Sequence, residues 1–122
     1  MTDAPRVVAV TGASGYIGPH LLQELEQEET LEKIVAIDLR SPSSPLNNMI
    51  SHKRDVTQPL DDLFKELSVD TVVHMAFNMR TGRTYREVTD IRSVNLQGLT
   101  NVLKSCTTSK VRLLIYLSSH TV

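Results

Sequence analysis

Arg6 to Gly18 reads RVVAVTGASGYIG, a short β-branched run that passes directly into three glycines spaced GxxGxxG. Apolar runs of this length, bounded by a turn signal, read as buried strands. The residues that follow, Tyr16 to Gln27, place Ile17, Leu21, Leu22 and Leu25 at helical spacing. The order is strand, glycine turn, helix. In such a turn, one residue without Cβ permits the tight bend and another lets backbone approach a pyrophosphate. A third lets helix pack on strand. The helix N-terminus then offers unpaired N–H groups and a partial positive charge to the phosphates. Gly12, Gly15 and Gly18 are spaced differently from GxGxxG, but the physics is the same, and Pro19 is compatible with a first helical turn.

Outward from this turn, apolar runs alternate with amphipathic stretches to the end of the chain, the pattern of repeated βα units and a parallel sheet. Lys33 to Leu39 (KIVAIDL) reads as a second strand, Ser41 to Asn48 with Pro42 and Pro45 as loop, and Met49 to Val56 as a third strand. Pro59 to Leu67 reads as a helix with Leu60, Leu63, Phe64 and Leu67 on one face. Thr71 to Phe77 (TVVHMAF) is the fourth strand, Thr84 to Thr107 a long helix interrupted by Gly98, and Val111 to Leu117 (VRLLIYL) the fifth strand. Right-handed crossovers then give a Rossmann-type doubly wound sheet of order 3-2-1-4-5, with its switch point between strands one and four. Ligands bind beyond the carboxyl ends of the strands at such a point.

Asp38 closes the second strand twenty residues beyond Gly18, where a carboxylate can accept hydrogen bonds from the adenosine ribose of a dinucleotide. Its charge repels a 2′-phosphate, which favours NAD over NADP; the alternative is that it caps a turn. Arg40, two residues on, is placed to reach a 2′-phosphate or to sit solvated in the loop. The loop from Asn78 to Arg86 (NMRTGRTYR) carries three arginines and reads as solvated, with a substrate phosphate as the competing use.

The 122 residues suit one domain, residues 1–122, and are too few for a cofactor domain plus a substrate domain. Thirteen basic against 14 acidic residues leave a net charge of -1, with no electrostatic reason to expect nucleic acid or an anionic membrane as partner. No apolar stretch approaches a membrane span, and no metal-ligand set is assigned. The single cysteine, Cys106, excludes an internal disulfide framework and agrees with a reducing, cytoplasmic setting.

TGASGYIG (11–18), VVHMAF (72–77), VNLQG (94–98) and YLSS (116–119), in this order and spacing, resemble the extended short-chain dehydrogenase/reductase family, in its NAD-dependent epimerase/dehydratase group. The resemblance covers essentially the whole chain. It implies that Gly12, Gly15, Tyr16, Ile17 and Gly18 line the pyrophosphate of NAD, Asp38 and Leu39 the adenosine ribose, and Asp55 and Val56 the adenine edge. From the residues alone, Asp55 reads equally as a cap before a helix. The resemblance further implies that Met75, Ala76 and Phe77 border the nicotinamide-side ribose and phosphate, and that Asn95 steadies the region after strand four. Ser118 would be a cofactor-side contact, and Ser119 the catalytic hydroxyl that stabilises charge on a substrate oxygen. His74 belongs to the strand-four motif, but a histidine in an apolar strand reads as a hydrogen-bonded core residue.

The family's general acid/base is a tyrosine four residues before a lysine, whose charge lowers the phenol pKa. Tyr16, Tyr85 and Tyr116 are followed at that spacing by His20, Thr89 and His120, so no such pair is present. The expectation is that the chain is the N-terminal portion of a longer enzyme. That enzyme would act on a nucleotide sugar or related hydroxyl/carbonyl substrate by hydride transfer, and this portion alone would be inactive. The alternative is an NAD(P)-sensing regulatory module of atypical short-chain type. An uncovered fifth strand is expected to favour self-association through its edge.

Overall fold

The computed structural model describes residues 4–41, 46–77 and 83–117. Along the chain run β1 (Val7–Thr11), α1 (Gly18–Glu26), β2 (Lys33–Asp38), β3 (Met49–Lys53), α2 (Asp61–Glu66), β4 (Thr71–His74), α3 (Tyr85–Thr108) and β5 (Leu113–Tyr116). The five strands among the described residues are parallel, in the order β3-β2-β1-β4-β5. This is the Rossmann-type topology that the alternation of runs predicts.

Alternate strand residues feed two cores. Val7, Ala9, Val35, Ile37 and Val72 point to one face, where Leu63 and Phe64 of α2 and Val102 and Cys106 of α3 cover them. Val8, Val10, Ile34 and Ala36 point to the other, under Leu22 of α1. The period-2 alternation buries both faces of β1 and β2, which is why those strands read as unbroken apolar runs. Full burial of Phe64 alone removes enough apolar surface to contribute about 2–3 kcal/mol.

Polar groups set the element ends more tightly than the apolar runs do. Below the sheet, Asp70 Oδ2 accepts from the Arg6 and Val7 amides at 2.9 and 3.0 Å, and the Asp70 carbonyl accepts from the Arg112 amide at 2.8 Å. Those bonds gather the starts of β1, β4 and β5. The expected third strand ends at Lys53 rather than Val56, because Asp55 Oδ1 accepts from the Thr57 amide and hydroxyl at 2.9 and 2.8 Å and turns the chain. The expected second helix begins at Asp61; Leu60 lies just before it, with its amide donated to Ser105 Oγ at 3.1 Å. β2 and β4 stop at Asp38 and His74, short of Leu39 and Phe77, and the fifth strand spans only Leu113–Tyr116. Tyr16 and Ile17 lie in the glycine turn, not in α1.

The long helix starts where the sequence places it, for a local reason. Thr84 caps it by accepting from the Glu87 amide at 3.1 Å, while Glu87 Oε2 accepts from the Arg83 amide at 2.6 Å. This reciprocal arrangement is a near relative of the capping box. Gly98 lets the helix lie close to the chain after β3, since a Cβ there would come within 3.0 Å of Val56 Cγ2.

Candidate functional site

Parallel pairing brings the carboxyl ends of all strands to one edge of the sheet. Thr11 stands opposite Ile37 on one side and His74 on the other, and Asp38 opposite Lys53. The sequence-assigned residues among the described ones follow those ends or lie on α3.

The glycine turn is tied to β2 by its backbone. The amides of Gly12 and Ala13 donate to the Ile37 carbonyl at 2.9 and 3.4 Å, and the Gly15 amide closes on the Gly12 carbonyl at 3.1 Å. The three glycines are required for different reasons. Gly12 has φ +72°, and a Cβ there would lie 2.7 Å from the Met75 carbonyl carbon and oxygen. At Gly18 a Cβ would lie 2.1 Å from the Ala13 carbonyl oxygen. Both positions are glycine because the protein itself leaves no room. Gly15 differs: a Cβ would meet only the Gly12 carbonyl oxygen, at 3.2 Å, and no other part of the described chain within 4 Å.

Beyond Gly15 the backbone turns into α1 without a side-chain cap. The His20 and Leu21 amides reach the Ile17 carbonyl at 3.1 Å, and Pro19 has no N–H. The amides of Tyr16, Ile17 and Gly18 have no acceptor among the described residues. An uncapped helix start with three spare donors and a glycine in front of it is suited to an anion such as a diphosphate. The Tyr16 side chain is exposed, so this residue contributes backbone to the turn.

Asp38 caps the turn after β2 and also reaches the glycine turn. Its Oδ1 accepts from the Arg40 amide at 3.1 Å, which is the turn cap, and its Oδ2 accepts from the Ser14 amide at 3.0 Å. The carboxylate is thereby anchored beside the glycine turn, with lone pairs left for further donors. Ser14 Oγ donates to the Arg40 carbonyl at 2.9 Å, and the Arg40 guanidinium returns to the Ser14 carbonyl at 3.3 Å. Leu39 is exposed next to this latch.

Asp55 closes the turn described above rather than capping a helix, since α2 has Leu60 at its N-cap and no side-chain cap, and Val56 packs partly buried against the α2–α3 core. Asn101 of α3, which carries no signal in the sequence, holds this turn: its Nδ2 donates to the Val56 carbonyl at 2.7 Å and to the Gln58 carbonyl. Only the fold brings these residues together, at a separation of 45 positions. Asn95 is half-buried on the same helix, one turn before Gly98. Met75, Ala76 and Phe77 follow β4 and are partly exposed. Ser118 and Ser119, assigned as cofactor contact and catalytic hydroxyl, lie outside the described residues.

His74 is fully buried, with Nδ1 2.7 Å from Thr11 Oγ1. Burial holds its pKa down at about 4, so the ring is neutral at physiological pH. Its ring makes an edge contact with Phe77 and a stacked one with Tyr116, at centroid distances of 4.7 and 6.4 Å. Cys106 lies in the core under α3, where burial raises its thiol to about 11; it is a packing residue, not a nucleophile.

A Rossmann sheet with a glycine turn, an uncapped first helix and a carboxylate ending β2 defines a dinucleotide-binding fold. The family model described as the NAD dependent epimerase/dehydratase family matches residues 8–122, and the chain belongs to that family. It is 29% identical to UDP-glucose 4-epimerase of Halalkalibacterium halodurans, over 92% of this chain and 34% of that one. It is 30% identical to the decarboxylating sterol-4-alpha-carboxylate 3-dehydrogenase of Saccharomyces cerevisiae, over the same shares of each. Among solved structures, UDP-glucose-4-epimerase from Stenotrophomonas maltophila, with bound NAD and formylated UDP-arabinopyranose, superposes with a TM-score of 0.81 at 25% identity. That match covers 98% of this chain and 38% of the other. The chain thus spans about a third of the length of the curated relatives.

Proposed function

We propose that residues 1–122 form the NAD-binding portion of an NAD-dependent epimerase, dehydratase or reductase, with a nucleotide sugar or a related hydroxyl/carbonyl compound as substrate. The observation that carries this reading is the asymmetry among the three glycines. Gly12 and Gly18 are demanded by the protein's own packing, whereas at Gly15 a Cβ would press on a single atom, the Gly12 carbonyl oxygen at 3.2 Å, with nothing else within 4 Å, and the three amides that follow have no acceptor among the described residues. Space that the fold does not use, at the positive end of a helix, suits a diphosphate.

In this reading, Gly12, Gly15, Tyr16, Ile17 and Gly18 bind the pyrophosphate through backbone amides. Asp38 and Leu39 border the adenosine ribose, Asp55 and Val56 the adenine edge, and Met75, Ala76 and Phe77 the nicotinamide side. Asn95 and Ser118 complete the cofactor contacts, and Ser119 is the hydroxyl that steadies charge on a substrate oxygen. When bound, NAD supplies the hydride acceptor. Anchored by the Ser14 and Arg40 amides, the Asp38 carboxylate accepts ribose hydroxyls and repels a 2′-phosphate, so NAD binds more tightly than NADP. The nucleotide-sugar assignment draws on the two epimerases that resemble this chain, and the sterol dehydrogenase marks the broader hydroxyl/carbonyl class.

Calorimetric titration of NAD and NADP into the chain and into Gly15→Ala tests this reading. The expected result is binding of NAD over NADP by the wild type. In Gly15→Ala, affinity should fall by about tenfold, with a smaller drop in melting temperature than in Gly12→Ala or Gly18→Ala, where a Cβ meets backbone more closely. Equal affinity of the two proteins for NAD, or no NAD binding at millimolar concentration, contradicts it.

A further inference from the structure

The hydrogen bonds around Thr11 Oγ1 admit one arrangement of protons. The Met75 amide donates to it at 3.0 Å, shared with the Thr11 carbonyl at 3.2 Å, and the Ala76 amide donates to it at 3.2 Å. A hydroxyl has two lone pairs and one proton, and both lone pairs are engaged. Its proton therefore goes to the remaining neighbour, His74 Nδ1, at 2.7 Å. Nδ1 accepts, so the neutral ring carries its own proton on Nε2, a buried atom with no partner among the described residues.

The same segment is pressed from its other side. Met75 and Ala76 lie so close to Gly12 that a Cβ there would come within 2.7 Å of Met75 backbone and 2.9 Å of the Ala76 nitrogen. Thr11 and Gly12 are adjacent in the chain, and Thr11 is the register partner of His74. One threonine hydroxyl thus holds the chain leaving β4 against the first residue of the glycine turn. It can hold both amides only while its proton has somewhere else to go.

We propose that His74 is a positioning residue for the cofactor site: by accepting the Thr11 hydroxyl proton at Nδ1, it leaves Thr11 Oγ1 free to hold the Met75 and Ala76 amides, fixing the wall after β4 against the glycine turn. That this wall faces a cofactor rests on the NAD-binding reading above; the clamp itself is read without any ligand. Removing the acceptor at Nδ1 forces the hydroxyl either to bury its proton unpaired or to rotate and release an amide.

Two measurements test the clamp. Long-range nitrogen–proton NMR of the wild type at neutral pH should show His74 with Nδ1 unprotonated and Nε2 protonated. Amide hydrogen exchange at Ala76, taken relative to Val72 and Val73 of β4, should accelerate by about tenfold in His74→Leu and in Thr11→Val, with a smaller change at Met75, whose amide keeps the Thr11 carbonyl. It should return toward wild type in His74→Asn, whose Oδ1 replaces the acceptor, and in Thr11→Ser, which keeps the hydroxyl. NAD affinity should follow the same split. A merely structural histidine predicts faster exchange along the whole of β4 with no rescue. That pattern, or a proton on Nδ1 in the wild type, overturns the inference. If His74→Leu does not fold, the wild-type tautomer and the Thr11→Val and Thr11→Ser pair decide. A wild type that binds no NAD overturns the functional reading, while the clamp is still decided by tautomer and exchange.

Discussion

At the scale of single residues, the site is organised by polar atoms with few alternatives, and His74 has the clearest consequence for stability. Burial lowers its pKa from 6.5 to about 4. As pH falls, the unfolded chain takes up this proton before the folded one does. The contribution of neutral His74 is therefore complete above pH 6.5 and is lost as pH drops toward 4. A shift of this size corresponds to about 3 kcal/mol. Urea denaturation at pH 7 and pH 4.5 should show a larger loss of stability in wild type than in His74→Asn, which has no imidazole to protonate. The same acid loss in both proteins would place its origin elsewhere. Little of this was legible in the sequence. An apolar strand containing one histidine announces a core residue, and His74 is one. Its partner, Thr11, is 63 positions away and is chosen by strand pairing, which no local pattern encodes. Asp38 was more readable, since its distance from the glycine turn follows from the length of a βαβ unit. Its anchoring through Ser14 had no such regularity.

At the scale of elements, the apolar periodicity of the sequence corresponds closely to the order and type of all eight elements, while their ends are set by side-chain bonds that periodicity does not carry. β3 is the instructive case. Val56 is apolar and extends the run to the eye, but the Asp55 turn has already taken the chain out of the sheet. Asn101 makes that turn part of α3's environment by spanning the Val56 and Gln58 carbonyls. Asn101→Ala should leave those carbonyls without this partner and destabilise the chain by about 1–2 kcal/mol. If Asp55 and Val56 form the adenine edge, NAD affinity should weaken as well, because the turn that carries them loosens. Chemical denaturation and NAD titration of the same preparation check both effects. An unchanged denaturation midpoint would show that the turn is held by Asp55 alone.

At the scale of the whole molecule, the strands of the sheet are unequally covered. β2 and β1 are covered on both faces, whereas β5 is an edge strand among the described residues, with Leu113, Ile115, Tyr116 and Leu117 exposed. Leu113 and Ile115 are 49% and 47% exposed at adjacent positions of one face, on a strand that pairs with β4 alone among the described residues. Edges of this kind pair with other chains. We propose that the chain self-associates through β5, so that light scattering of wild type should show mass rising with concentration and Ile115→Lys should reduce it. A wild type that remains monomeric throughout the range would contradict this.

The central claim is that the glycine turn and the start of α1 hold the diphosphate of NAD. Amide chemical-shift mapping during an NAD titration addresses it most directly, because the amides at issue belong to named residues. The account predicts that the largest changes fall on Gly15, Tyr16, Ile17 and Gly18, with Ser14 and Arg40 responding next through Asp38. Saturating changes confined to the outer surface of α3 or to β5, with the amides of residues 15–18 unmoved, would contradict it.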